Sequence, residues 1–207
     1  MAYTDTWAVR FAAASTTYFR AAATHGASAT LTLLHPDFAT IGGAMGAGYK
    51  VSFTTSASIT TNATVWTITG TIVGQTNGVT TEAVTGPASA TTVSSTNYWA
   101  TITSIVASGT SGGSSGAVTV AVGFTGSLAI PRCRIRGVHY VGTSSAGTIK
   151  VAINTTTGAE VLGLDTPASA TFAEFIKAGH ILVGRSAASD FGIVTATNVT
   201  FYTLFLS

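Results

Sequence analysis

The segment "PRCRIRG", residues 131–137, sets Arg132, Arg134 and Arg136 at every second position. Side chains two apart on a strand share a face, so the three guanidiniums line up while Cys133 and Ile135 turn the other way. The 207-residue chain has nine Lys and Arg in all, so a third of its cations fall on this one strand face. The chemistry such a row offers is carboxylate recognition, because the planar guanidinium fork engages both oxygens of an acid. Arg132, Arg134 and Arg136 are therefore the candidate subunit-contact strip, facing acidic groups on a neighbouring subunit.

Other patterns have the residues for chemistry without its setting. "GTSGGSSG", 109–116, contains G-x-S-x-G at Gly112, Ser114 and Gly116. A nucleophile elbow needs a strand-to-helix turn with His and acid partners, but "AVTVAV" follows and reads as strand. The segment is read as a flexible hairpin tip. His25, His35, His139 and His180 show neither H-x-H nor H-E-x-x-H spacing, and the single Cys133 leaves no cysteine cluster for zinc and no intrachain disulfide. The acids Asp5, Asp37, Glu82, Glu160, Asp165, Glu174 and Asp190 are scattered. A glycosidase would have to fold two of them into one cleft, so a carbohydrate-binding or carbohydrate-active β-sandwich stands as a lesser alternative. "GAMGAGYK", 43–50, departs from G-x-x-x-x-G-K-[ST] and reads as a loop. Asn62, Asn154 and Asn198 open N-x-[ST] triplets, which arise by chance in so Thr-rich a chain. No catalytic, cofactor-binding or metal-binding residue is assigned. The expectation is a protein that is not an enzyme and uses no cofactor.

The elements that hold these residues come from an unusual composition. Only 8% of the residues are charged, against about 25% in ordinary soluble domains, and the net charge is +2. That is no footprint for nucleic acid, which needs a dense basic face. No apolar run reaches the ~18–20 residues of a membrane-spanning helix, and "MAYTDTWAVRFAAAS" lacks the basic and apolar regions of a signal peptide. Neither membrane nor nucleic acid is an expected partner. Faces covered by hydroxyls and methyls allow close approach of copies without charge repulsion, which favours an oligomer.

The chain reads as strands throughout. "TVWTITGTIV" sets Trp66, Ile68 and Ile72 against Val65, Thr67, Thr69 and Thr71, and "GQTNG", 74–78, reverses the chain into "VTTEAVT". "YWATITSIV" is expected to put Tyr98, Ala100, Ile102 and Val106 on one face, and "AVTVAVGF" to align Val118, Val120, Val122 and Phe124. "GTIKVAIN", "TTTGAEVLGL" with a turn at Gly158, and "GHILVG" continue in the same style. "VTFYTLFL" is apolar on both faces, as a central strand is. "WAVRFAAASTTYFRAAATHG" has helical propensity in its alanines, but its threonines and aromatics favour extended chain. The expected fold is all-β, an antiparallel β-sandwich or jelly-roll-like architecture, as two small β domains. The rhythm breaks near Gly126 to Pro131, so the expected division is 1–126, a sandwich with an extended N-terminal arm, and 127–207.

The stretch "WTITGTIVGQTNGVTTEAVTGPASATTVSSTNYWATITSI" resembles small virion structural proteins of tailed bacteriophages. The residues that carry the likeness are Thr67, Ile68, Thr69, Gly70, Gly78, Glu82, Val84, Gly86, Pro87, Ser95, Thr96, Tyr98, Ile102 and Ile105. The part from "IKVAINTTTGAEVLGLDTPAS" to "GHILVGRSAASDFGIVTATNVTFY" looks like a module of the same setting. Together they cover roughly two-thirds of the chain. The turn "GTIVGQTNG" departs from the acidic Asp-x-x-Gly frequent there, and the first 45 residues have no counterpart. The resemblance implies a capsid decoration (cement) protein, made in the host cytoplasm and located on the capsid surface of the virion. It implies self-association as a homotrimer and binding to the major capsid protein. A tail or fibre-associated structural module is the alternative in the same family.

Overall fold

The structure, a computed structural model, describes residues 7–10, 14–26, 28–35, 47–55, 64–75, 78–87, 90–109, 118–131, 133–154, 156–175, 181–183 and 191–206. The described residues are all-β, with antiparallel strands throughout. The larger sheet runs, in spatial order, through β12 (Glu160–Thr166), β11 (Gly147–Ile153), β15 (Gly192–Thr197), β9 (Val118–Ile130), β4 (Gly48–Thr55), β8 (Trp99–Ser108), β5 (Val65–Ile72) and β6 (Thr80–Thr85). Beside this path β2 (Ser15–His25) pairs with β9, β3 (Ala29–Thr30) with β8, and β7 (Thr92–Ser94) with β4. The smaller sheet is β1 (Trp7–Arg10), β16 (Val199–Leu206), β10 (Cys133–Gly142) and β13 (Thr171–Phe175), with β14 (Ile181–Val183) also on β10.

One hydrophobic core joins the two sheets. Phe53, Trp66, Val120 and Ile149 of the larger sheet belong to the same buried cluster as Ile135, Tyr140, Tyr202 and Leu204 of the smaller one. The division expected at 126/127 falls inside β9, a single strand from Val118 to Ile130. β2 pairs with β9 from Val118 to Phe124 and β4 from Val120 to Ala129, while Leu128–Ile130 also pairs with β15 from the C-terminal part of the chain. After β9 the chain alternates between sheets, and two of its corners use left-handed backbone. Ser169 (φ 55°) lies between β12 and β13, and Asn198 (φ 53°) between β15 and β16. Asn198 suits this, because its short amide reaches back to donate to the Ala146 carbonyl at 2.9 Å. Two of the three sequon asparagines are thus turn residues, since Asn154 also has positive φ (59°).

Period-two patterning predicts β5 and β9 correctly. Trp66 and Ile68 are buried on one side of β5, and Val118, Val120, Val122 and Phe124 on one side of β9. "GQTNG" joins β5 to β6, which pair as a hairpin. "STTYFRAAATH" is extended, as its Thr and aromatic content favours. Strand β8 differs. Its buried residues are Trp99, Ile102, Ile105 and Ala107, while Val106 is 40% exposed. The register against β5 slips twice, between Thr69 and Gly70 and between Thr71 and Ile72, leaving Thr103 and Ala100 as extra residues on β8. Each bulge moves the inward set by one position. "GTSGGSSG" is also not a hairpin tip between neighbours, because β4 lies between β8 and β9 in the sheet. The Gly112, Ser114, Gly116 pattern lies outside the described residues.

The exposed surfaces are built largely from hydroxyls. Across strand pairs, Thr24 meets Thr119 at 2.9 Å, Thr54 meets Thr92 at 2.8 Å and Thr71 meets Thr101 at 2.6 Å, each pair exposed. Such cross-strand pairs stabilise a sheet modestly without charge. Among the described residues one ion pair is formed, Lys150 to Glu160 at 3.5 Å, with both side chains about half exposed.

Candidate functional site

The arginine row lies on β10. Cys133 and Ile135 are buried and Arg134 is exposed, so the alternation between the two faces holds there. Arg136 is half-buried, and Arg132 lies outside the described residues. The row is shorter than strict alternation implies. Against β16, Ile135 pairs with Leu206 and Gly137 with Phe205, so Arg136 is the extra residue of a β-bulge. Beyond the bulge Val138 and Tyr140 are the inward residues. Cys133 packs in the core, where burial pushes its thiol up to about 12, so it stays an unreactive neutral thiol.

The histidines stand apart. His25 belongs to the core face beneath Trp66, and His35 stacks on Tyr18 with ring centroids 4.7 Å apart. His139 is on β10, and His180 lies outside the described residues. Among the described residues no three His, Cys, Asp or Glu groups gather to hold a metal ion. Asp5, Asp37 and Asp190 lie outside the described residues. Glu160 and Asp165 are exposed on β12.

Glu82 has a structural role. From β6 its carboxylate accepts the backbone N–H of Thr96 and, at 3.1 Å, that of Asn97. Ser95 completes the clamp. Its hydroxyl accepts from Val51 N at 2.9 Å and donates to the Asn97 carbonyl at 2.9 Å, while its own N–H donates to the Val51 carbonyl. The turn that precedes β8 is thus tied to β4 and β6. Hydrogen bonds to a charged acceptor contribute about 1.5–3 kcal/mol. Glu82→Gln is expected to cost about 1–2 kcal/mol, the lower range because the site is partly solvated. Equilibrium urea unfolding measures it, and an unchanged midpoint would mean the turn holds without the carboxylate.

What that clamp positions is a cleft of about 410 Å³ on the outer side of the larger sheet. Leu128 and Ile130 enter the main core, while Ala129 between them joins a second small cluster with Val73, Tyr98 and Ile193. Opposite faces of β9 therefore serve two apolar clusters. One wall is Tyr98, 8% exposed, with the Lys50 ammonium 5.2 Å from its ring centroid. Phe191 packs against Tyr98 and extends the same wall, its ring 5.7 Å from that of Tyr98 at 57°. Asn97 and Thr156 also line the space. Burial raises the Tyr98 phenol above its ordinary value of 10, so it remains a neutral hydroxyl. The cleft walls come from five separated stretches of chain. In the sequence Ile72 and Tyr98 read as strand residues, Asn154 as part of an N-x-[ST] triplet and Lys50 as part of a loop; the structure instead starts β4 at Gly48. No short motif could have revealed the rest.

Comparison of the chain with known protein families, with curated proteins and with solved structures found no match.

Proposed function

We propose that this chain is a non-enzymatic structural protein of a tailed-bacteriophage virion, a capsid decoration protein on the capsid surface. It binds the major capsid protein and associates with itself as a homotrimer, and it needs no cofactor. The observation that carries the reading is the outer surface, where threonines pair across strands at three places in a chain with only 8% charged residues. A surface of paired hydroxyls approaches another protein without charge desolvation, which is what dense, repeated packing on a shell requires. Contacts of about 1,200–2,000 Å² per neighbour would stabilise the shell by mass action. Arg134 and Arg136 on β10, with Arg132, supply the charged register marks.

The test combines light scattering of the purified chain with binding to purified heads that lack tails. The expected result is a trimer that saturates heads. Replacing Arg132, Arg134 and Arg136 together by Ser should weaken head binding or assembly. A well-behaved monomer that binds no heads would overturn the proposal, and recovery of the chain only with tails would replace it with the tail or fibre reading.

A further inference from the structure

We propose that the cleft beside the Tyr98–Phe191 ring pair binds an acidic saccharide, a hexuronic acid unit of a glycan chain. Four polar groups line it: the Lys50 ammonium, which rests over the Tyr98 ring, and the side chains of Asn97, Tyr98 and Thr156. Among the described residues no carboxylate pairs with Lys50, and the Tyr98 hydroxyl, the Asn97 side-chain amide and the Thr156 hydroxyl make no hydrogen bond. An ammonium, an amide and two hydroxyls beside a touching pair of aromatic rings form a mixed surface. The half-buried Phe191 ring suits the apolar C–H face of a pyranose, the amide and hydroxyls suit its hydroxyl groups, and the ammonium suits a carboxylate. The volume, about 410 Å³, lies within the range of small-molecule sites.

A peptide strand is the obvious rival, and the backbone argues against it. Strand addition needs free main-chain donors and acceptors. Here Val73 N donates to the Tyr98 carbonyl at 2.8 Å, Asn154 N to the Phe191 carbonyl at 3.0 Å, and Phe191 N to Asn154 Oδ1 at 3.0 Å. The walls offer side chains and rings, the vocabulary of sugar recognition. The inference holds for a chain seated anywhere in a particle, so it does not stand or fall with the decoration role.

Isothermal titration of the whole chain with oligoglucuronate, with the matching neutral oligoglucoside and with oligoglutamate separates the outcomes. Oligoglucuronate should bind with a dissociation constant on the order of 0.1–1 mM, and the neutral oligomer about tenfold more weakly. Lys50→Met keeps the side-chain stem and removes the charge; it should weaken oligoglucuronate about tenfold and abolish the preference for the acidic sugar. Tyr98→Phe keeps the ring packing and should weaken both sugars alike. Thermal melts of both variants at wild-type temperature guard against misfolding. No binding at about 10 mM oligoglucuronate, wild-type affinity in Lys50→Met, or equal competition by oligoglutamate would each overturn the proposal.

Discussion

Gly123→Ala is expected to destabilise the protein by about 3 kcal/mol or more, at or beyond the upper end of ordinary overpacking. Gly123 sits mid-way along β9, and the register of β2 on β9 explains why no side chain fits. Ser15 pairs with Phe124 and Arg20 with Val122, so four residues of β2, Thr16 to Phe19, stand against the one position of Gly123. An added Cβ would overlap the carbonyl oxygen of Ser15 and crowd the carbonyl carbon of Thr16, all backbone atoms that cannot rotate aside. β2 would have to lift, taking the fully buried Phe19 with it. For a chain of this length the melting temperature should fall by roughly 6–12 °C. Gly26→Ala is the control, since nothing lies within 4 Å of its added Cβ, and it should be neutral or slightly stabilising. A Gly123→Ala protein that melts with the wild type would show that β2 does not cross β9 so closely.

Trp66→Ala should cost about 3–5 kcal/mol. The indole is fully buried, lies 4.7 Å from the Phe53 ring and is parallel to it within 3°. It also donates from Nε1 to His25 Nε2 at 3.2 Å, while His25 Nδ1 lies 2.8 Å from the Gly26 carbonyl. The two bonds fix the tautomer. Nδ1 carries the proton and Nε2 accepts. Trp66→Phe keeps a stacked ring but strands the acceptor, at about 1–3 kcal/mol. Protonating His25 would break the same bond. Burial holds the imidazole below its ordinary value of 6.5, and the charge of Arg20 adds to this against the opposing pull of the Gly26 carbonyl. The unfolded chain therefore takes up the proton first. Stability is fully present above about pH 6.5 and falls as the pH drops below it toward the lowered folded value. Urea unfolding at about pH 7.5 and about pH 5.5 should show the loss in the wild type and a smaller one in His25→Gln. Equal slopes in the two proteins would exclude His25 as the cause.

What could be foreseen from the residues divides along physical lines. Where the backbone alternates without interruption, as at Trp66 and Ile68 or from Val118 to Phe124, the pattern of apolar residues names the buried face. Where a bulge intervenes, as at Ala100 and Thr103, the same rule points to Val106 in place of Ile105. A bulge is set by the partner strand, so nothing local announces it. Connectivity was similarly hidden. β9 follows β8 in sequence, yet β4 separates them, and the C-terminal strands β11, β12 and β15 continue the sheet that the N-terminal strands begin. The partnership of His25 with Trp66 joins residues 41 apart, and the cleft draws on stretches from Lys50 to Ile193. Such groupings belong to the tertiary fold. Of the arginine row, the alternation from Cys133 to Ile135 was legible because it depends on neighbouring residues alone, while the bulge at Arg136 is set by β16.

The extra residue at position 136 works like a leap day in a calendar. Up to Ile135 the odd-numbered side chains of β10 face inward; after the added step the even-numbered Val138 and Tyr140 do. Had the strand kept plain time, His139 would be pressed into the interior and Tyr140 turned out to water. Loss of one residue at this step would remove the bulge and leave both halves of the strand facing as they do.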